Sequence, residues 1–338
     1  MNKVLHVCHS ISFGGISTFV KSLVKMNSIF QKKHYILVWR ESYNGDYIID
    51  ISNKKNMRKA FRDLIKEYDT IFIHSLSPFM LYSLYKNKKK VFLFQHGVTF
   101  GKGIKKLIKI VYYNFTINFL NIKIICSSIY AEKKLCKNIF SIRKNVTIVQ
   151  FGVSDKRLPN INETTNVFRV GYVGRLVSQK RVHRIFESFL KLNSDINIEI
   201  FIAGDGPEKE KLISLSKKLD TNKVKTKFLG NIKNMSTFYD GIDLFILPSI
   251  GESFGLVVLE ANFRNIPVAI FKDSGACVEF IKNKQNGFIL SDTKELSLLL
   301  KNMFSIRNRI KQKKLVKNYD LSSYHLNKTR ITLDEISY

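Results

Sequence analysis

The sequence predicts an α/β protein built as two successive doubly wound parallel-sheet domains. Three observations predict it. The chain has 338 residues, room for two separate cores. Its apolar residues gather in twelve short runs that alternate with stretches of helical periodicity. A polar, proline-bearing interruption divides the runs into two sets of six. With 45% hydrophobic and 25% charged residues, the composition is that of a globular chain and not of a disordered one.

The first set covers residues 4–8, 34–39, 70–74, 91–95, 122–127 and 146–150, and the second 168–173, 197–203, 224–229, 244–247, 268–271 and 287–290. Short apolar runs of this kind are strands buried on both faces, as a parallel sheet between helix layers requires. Most are followed by turn residues and then a helix-like stretch, the pattern of parallel strands joined by crossovers. The interruption, SDKRLPNINETTN at residues 154–166, contains Pro159 and little apolar periodicity, so the domain boundary is expected near residue 160. Ligands of open α/β sheets bind beyond the carboxyl ends of the strands, and two such domains facing each other would make a cleft.

The formal net charge is +29 and unevenly spread. Residues 1–160 hold 28 Lys and Arg against 8 Asp and Glu, and residues 161–338 hold 28 against 19. The excess is densest in KNKKK at 86–90 and GKGIKKLIKI at 101–110. From the latter into the residue after it, Ile104, Leu107, Ile108 and Val111 recur at helical spacing, while Lys102, Lys105, Lys106 and Lys109 take other positions. Such a stretch suits an anionic membrane surface, where each lysine near the lipid contributes about 1 kcal/mol. A solvated face in a lysine-rich chain is the other reading. No nucleic-acid partner is expected, because the lysines come without interleaved aromatic motifs, finger spacing or an RNP-like strand.

The long apolar stretch 108–126 is broken by Lys109, Asn114, Asn118, Asn121 and Lys123, which argues against a membrane span. MNKVLHVCHS lacks the features of a secretory signal, and Cys8, Cys126, Cys136 and Cys277 form no CxxC or metal-spaced pair. A cytoplasmic chain with reduced thiols is expected.

The strand ends carry the candidate groups. After the first strand, Gly14 and Gly15 allow close backbone approach, and Ser17 and Thr18 are expected to start a helix that buries Phe19, Val20, Leu23 and Val24. A plain strand-to-helix turn explains this segment equally well. His74 and His96 close their strands, where a histidine serves either a site or a structural hydrogen bond. In the second set, the strand of VGYVGRLVSQK ends at Val173 and turns at Gly174, and Arg175 and Lys180 follow as two cations able to clamp a diphosphate. Asp205, in the turn of AGDGPEKEKL, either belongs to the site or caps the next helix.

The segment PSIGESFGLVVLEA is the most informative. A turn ending at Gly255 runs into an apolar helix whose N–H groups and dipole favour an anion. Glu252 precedes that helix and Glu260 lies inside it, so two carboxylates can accept hydroxyl hydrogen bonds on either side of a bound phosphate. That describes a nucleotide sugar. The alternative is a solvated loop acid and a helix-surface acid.

The order GRLVSQK, AGDGPEKEKL, FLGNIKNMSTFYDGIDLFILPS, ESFGLVVLEA and IPVAIFKDSG followed by Glu279 resembles the retaining glycosyltransferases of family 4. The resemblance spans about 110 residues of the second domain; the first domain matches loosely, through Gly14-Gly15, His96-Gly97, Ser127 and FGVS at 151–154. It implies the GT-B fold, two Rossmann-like domains facing across a cleft. The expected domains are an acceptor-binding 1–158, a donor-binding 167–318, and a C-terminal helix in 319–338 returning to the first domain.

What the resemblance implies is carried over by position. Arg175 and Lys180 match the basic pair on the donor diphosphate, and Glu252 the acid on the donor sugar hydroxyls. Ser253, Phe254 and Gly255 lie near sugar and phosphates, and Glu260 matches the ribose-binding acid. Gly15, Gly174 and Asp205 join the donor-binding set. His96 matches the histidine near the donor sugar and reacting centre. Similar proteins transfer the sugar with retention, by front-face attack in which the leaving phosphate helps remove the acceptor proton, and need no metal or other cofactor; this sequence contains no Asp-x-Asp triplet. Two departures stand out. Asn265 occupies a place usually held by glycine, and asparagine is the next most tolerant of a left-handed backbone. Ser154 stands where the family often has an acid.

The expected function is transfer of a hexose or N-acetylhexosamine from a UDP- or GDP-sugar to a lipid-linked saccharide in bacterial surface polysaccharide assembly. The chain would sit peripherally on the inner face of the plasma membrane. A non-catalytic nucleotide-sugar-binding subunit is the alternative. An epimerase-like enzyme would be separated by product analysis, and a glycogen-phosphorylase-like one would need a long C-terminal domain with a cofactor lysine.

Overall fold

A computed structural model of the chain describes residues 3–9, 14–38, 47–48, 54–74, 80, 83–84, 90–97, 103–104, 107–108, 110–111, 114–115, 122–137, 145–154, 165–190, 192, 196–219 and 223–337. It separates into two compact units, Met1–Ser154 with Tyr324–Tyr338, and Asp155–Ser323. The chain therefore divides at 154/155, and residues 319–323 stay with the second unit. Pro159 and most of the expected linker, with Lys86, Lys88, Lys89, Lys102, Lys105, Lys106 and Lys109, lie outside the described residues.

Unit 1 is a seven-stranded sheet in the order β3-β2-β1-β4-β5-β6-β7. Its strands are β1 (Lys3–Cys8), β2 (Lys33–Val38), β3 (Tyr47–Ile48), β4 (Thr70–Ile73), β5 (Lys90–Gln95), β6 (Lys123–Cys126) and β7 (Val146–Ile148). Every pairing is parallel. The two-residue β3 is an edge addition without a counterpart among the expected runs. Because side chains alternate across a strand, the register sorts residues by parity. Leu5, Val7, Leu37, Ile71, Ile73 and Leu93 pack one aliphatic face with Phe61 and Ile65 of helix α2 (Lys54–Ile65). His6, His34, Phe72, His74, Phe94 and His96 share the other parity and form a row of ring contacts.

Helix α1 (Gly15–Lys25) begins two residues before the expected start at Ser17. Gly14 takes the N-cap place at φ 115° without a side-chain cap, so the glycines, not the Ser17 and Thr18 hydroxyls, set the start. Phe19, Val20 and Leu23 are buried as expected, Val24 only in part. The last helix, Leu326–Ile336, returns to unit 1 and packs on α1.

Unit 2 is a six-stranded parallel sheet ordered β10-β9-β8-β11-β12-β13. Its strands are β8 (Phe168–Val173), β9 (Ile198–Ala203), β10 (Val224–Gly230), β11 (Leu244–Leu247), β12 (Val268–Phe271) and β13 (Gly287–Leu290). All four residues of LFIL and of VAIF are buried, as a sheet covered on both faces requires. Each such fully buried large side chain stabilises the fold by about 1.5–3 kcal/mol.

The strand ends meet backbone to backbone. Gly204 has φ 123°, and a Cβ there would lie 2.0 Å from the Gly174 carbonyl oxygen, so no other residue fits. Asn265 sits at φ 61°, the left-handed region its sequence position requires. No described helix is long and apolar enough to cross a membrane.

Candidate functional site

The order of the unit 2 sheet reverses between β8 and β11, which are neighbours. Loops leaving the carboxyl ends of two such strands diverge to opposite faces and open a crevice between them. Arg175 and Lys180 follow β8, and Glu252 follows β11. The structure joins the two loops at this point: Lys180 Nζ lies 2.5 Å from Glu252 Oε1. Both side chains are mostly covered, at 20% and 14% exposure, so the attraction is less screened than on an open surface.

The loop around Glu252 is held by backbone contacts. Its N–H donates to the Ser274 carbonyl and its carbonyl accepts from Ala276 N–H. Asp273, just before, makes a two-pronged pair with Arg184 at 2.9 and 2.8 Å. Two neighbours register the Glu252 charge. Burial, then Glu252, raises the Tyr172 hydroxyl above its ordinary pKa, and the same two causes raise the Cys277 thiol. The Tyr172 hydroxyl donates to the Arg175 carbonyl at 3.1 Å and so fixes the turn that carries Arg175. The Arg175 side chain itself is exposed and pairs with no carboxylate among the described residues.

Gly255 stands at φ 89° as the N-cap of the helix Leu256–Phe263. A Cβ there would lie 2.3 Å from Cys277 Sγ, so glycine is required twice, for its backbone angle and for space. The helix begins without a side-chain cap; Val258 N–H donates to the Gly255 carbonyl, and the N–H groups of Leu256 and Val257 stand at the end that favours an anion. One turn further, Glu260 Oε2 accepts from the buried Tyr239 hydroxyl at 2.8 Å. Sequence reasoning missed Tyr239. It lies inside the FYDGIDLF segment, but only the packing of the helix Met235–Asp240 brings its hydroxyl to Glu260.

The remaining donor candidates divide. Gly174 lies in the β8 turn, and its N–H donates to the Ala203 carbonyl. Asp205 does not cap a helix, because the N-cap of Lys209–Ser216 is Glu208. Its carboxylate accepts from Gly206 N–H and pairs with Lys209, and these hold its pKa below the ordinary range. Ser253 is partly exposed beside Glu252, whereas the Phe254 ring is buried against Phe280. Among the described residues no group of His, Cys, Asp and Glu could hold a metal ion.

Gly15 and His96 belong to unit 1. Gly15 is exposed as the first residue of α1. His96 follows β5, with Nε2 2.7 Å from Nδ1 of His74. Its ring packs on Phe94 and Phe151, and desolvation pushes its pKa down to about 3, so it is neutral near pH 7.

Comparison with known proteins agrees with this architecture. The family model for glycosyl transferases group 1 matches residues 154–320. The capsular polysaccharide biosynthesis glycosyltransferase CapM of Staphylococcus aureus is 24% identical over 174 residues, 50% of this chain and 45% of that protein. The chain thus spans less than half of that relative. An uncharacterized glycosyltransferase of Haemophilus influenzae is 24% identical over 305 residues, 86% of this chain and 81% of the other. Among solved structures, Anabaena Alr3699/HepE in complex with UDP and glucose superposes with a TM-score of 0.79 at 15% identity, covering 99% of each chain. That likeness shows the fold, which is GT-B. Residues 154–320, just under half of the chain, thus carry the match to the glycosyl transferases group 1.

Proposed function

We propose that this protein is a retaining glycosyltransferase that moves a hexose or N-acetylhexosamine from a nucleoside diphosphate sugar to a lipid-linked saccharide in bacterial surface polysaccharide assembly. The observation that carries this reading is the convergence of Lys180, Glu252 and the Gly255 helix start where the unit 2 sheet reverses. The names of CapM and of the UDP- and glucose-bound HepE support the reading.

The chemistry follows from the charges. Without donor, Glu252 neutralises Lys180. An arriving diphosphate attracts Arg175 and Lys180, and the Glu252 carboxylate turns to the hydroxyls of the donor sugar. The two cations and the helix N–H groups then stabilise the charge that grows on the diphosphate as the glycosidic bond breaks. A phosphate oxygen of the leaving group takes the proton of the attacking acceptor hydroxyl on the same face of the sugar, which retains configuration. Glu260, steadied by Tyr239, holds the ribose hydroxyls. With this cationic set, no metal is needed.

Unit 1 supports the lipid part. Ile104, Leu107, Ile108, Val111 and Phe115 are exposed by 56–77% and recur at helical spacing along the lysine-rich stretch. Apolar groups in that pattern, beside lysines, suit the interface of an anionic bilayer on its cytoplasmic side.

The test is incubation of the purified chain with labelled UDP- and GDP-sugars, alone and with lipid-linked acceptors, followed by product stereochemistry. Glu252→Ala and Arg175→Ala should each lower turnover by roughly 10²–10³. Turnover untouched by both would refute the assignment. Sedimentation with anionic vesicles should be lost in high salt, and equal recovery on neutral vesicles would overturn the membrane reading.

A further inference from the structure

A row of four imidazoles crosses the unit 1 sheet and ends on a carboxylate. His96 Nε2 lies 2.7 Å from His74 Nδ1, and His74 Nε2 lies 2.8 Å from His6 Nδ1. His6 Nε2 lies 2.8 Å from His34 Nδ1, and His34 Nε2 lies 3.0 Å from Asp334 Oδ1. Every link joins the Nε2 of one ring to the Nδ1 of the next, so the row has one direction. His6, His34 and His74 are buried. Asp334 comes from the C-terminal helix, nearly 240 residues after His96 in the sequence.

The carboxylate decides where the protons are. An ionised carboxylate only accepts, so His34 Nε2 must carry a proton and donate it to Asp334. A neutral imidazole has one N–H, so His34 Nδ1 is bare and accepts from His6 Nε2–H. The same count repeats at His6 and His74, and His96 Nε2–H donates to His74 Nδ1. The last nitrogen, His96 Nδ1, is left without a proton.

Two further facts support ionised Asp334 and neutral rings. The Arg330 guanidinium lies 3.3 Å from Asp334 Oδ2, and bonds to His34 and Arg330 outweigh burial to keep the Asp334 pKa below its ordinary value. Burial, reinforced by Arg330, Lys32 and the other rings, disfavours a positive charge anywhere in the row. Arg330 is itself fully buried and anchored on the Leu23 and Lys32 carbonyls, so the anchor is rigid.

We propose that Asp334, acting through His34, His6 and His74, fixes His96 in the tautomer with Nε2 protonated and Nδ1 bare, so that His96 presents a hydrogen-bond acceptor to a ligand hydroxyl. His34, His6, His74 and Asp334 are positioning residues. The row is not a proton sink. A proton taken at His96 Nδ1 would have to displace one proton at each link and end on Asp334, whose carboxylate Arg330 keeps ionised. Only the naming of that hydroxyl as belonging to a sugar donor or acceptor rests on the function proposed above.

The test is long-range ¹H–¹⁵N correlation on the full chain labelled with ¹⁵N-histidine near pH 7.5, with the His96 signals assigned by their loss in His96→Asn. The wild type should show His96 with a protonated Nε2 and a bare Nδ1. Asp334→Leu should replace that single state by a mixture of tautomers. His6→Leu, which breaks the row without touching Arg330, should do the same at His74 and His96 and decides the matter should Asp334→Leu not fold. A wild-type His96 protonated at Nδ1, or a tautomer unmoved in every variant that folds, overturns the proposal. Tautomers that respond as stated in a protein that turns over no nucleotide sugar would instead overturn the function and leave this inference standing.

Discussion

Acidification should destabilise unit 1 in a pH range where carboxylates do not yet titrate. Burial lowers the pKa of His34 to about 4 and of His96 to about 3, and both return to about 6.5 when the chain unfolds. Below pH 6.5 the unfolded chain takes up protons that the folded rings refuse, so this contribution to stability is complete above pH 6.5. It is lost as the pH falls through the window down to about 4 and then about 3. Each proton bound only by the unfolded state costs about 1.4 kcal/mol per pH unit. From pH 7 to 5 that is about 2 kcal/mol per ring. The rings interact and His96 is partly exposed, so about 3 kcal/mol for the pair is the working figure. For a unit of this size it lowers the melting midpoint by roughly 6–12 °C. Asp334, Glu199 and Asp273 have lowered pKa values, so their contributions are lost only below the ordinary carboxylate range. Thermal melts followed by circular dichroism at pH 7, 6 and 5 and constant ionic strength, with the unit 1 transition assigned by amide hydrogen exchange in β1, β4 and β5, provide the measurement. A midpoint that is level or rises between pH 7 and 5 would refute the reasoning.

Other outcomes follow from the unit 2 site. Gly255→Ala meets both a φ of 89° and a Cβ only 2.3 Å from Cys277 Sγ, and should cost about 2–3 kcal/mol in urea denaturation. Combined with Cys277→Ala it should cost less than the two single changes added. Tyr239→Phe removes a hydrogen bond to the Glu260 carboxylate worth about 1.5–3 kcal/mol, so donor KM should rise roughly tenfold or more with kcat nearly unchanged. Lys180→Met leaves Glu252 without its counter-charge and should lower kcat/KM by roughly 10²–10³. Steady-state assays with a varied nucleotide sugar separate these last two.

The twelve expected strands were legible because buried parallel strands are continuous apolar runs, and each reappears within a residue or two of its expected ends. The exception, β3, is too short to leave a pattern, and the α1 start was misplaced because a glycine N-cap has no side chain to signal it. Glu252, Lys180, Gly255 and Glu260 could be named as candidates because the loops that follow β8 and β11, and the helix after the second loop, show in local spacing. Their pairing was not, since residues 180 and 252 meet only when β8 and β11 become neighbours. Tyr239 escaped for the same reason.

The sequence by itself determined the two α/β units, the lopsided charge and the identity of the candidate groups, because periodicity and turn chemistry act over a few residues. Only the tertiary structure decided which groups touch. It paired Lys180 with Glu252 and Tyr239 with Glu260. It also lined up His34, His6, His74 and His96 across four strands and closed the row with Asp334 from the returning C-terminal helix. The physical reason is register: parallel pairing places residues of one parity on one face, and no local signal in the chain states which strands will be neighbours.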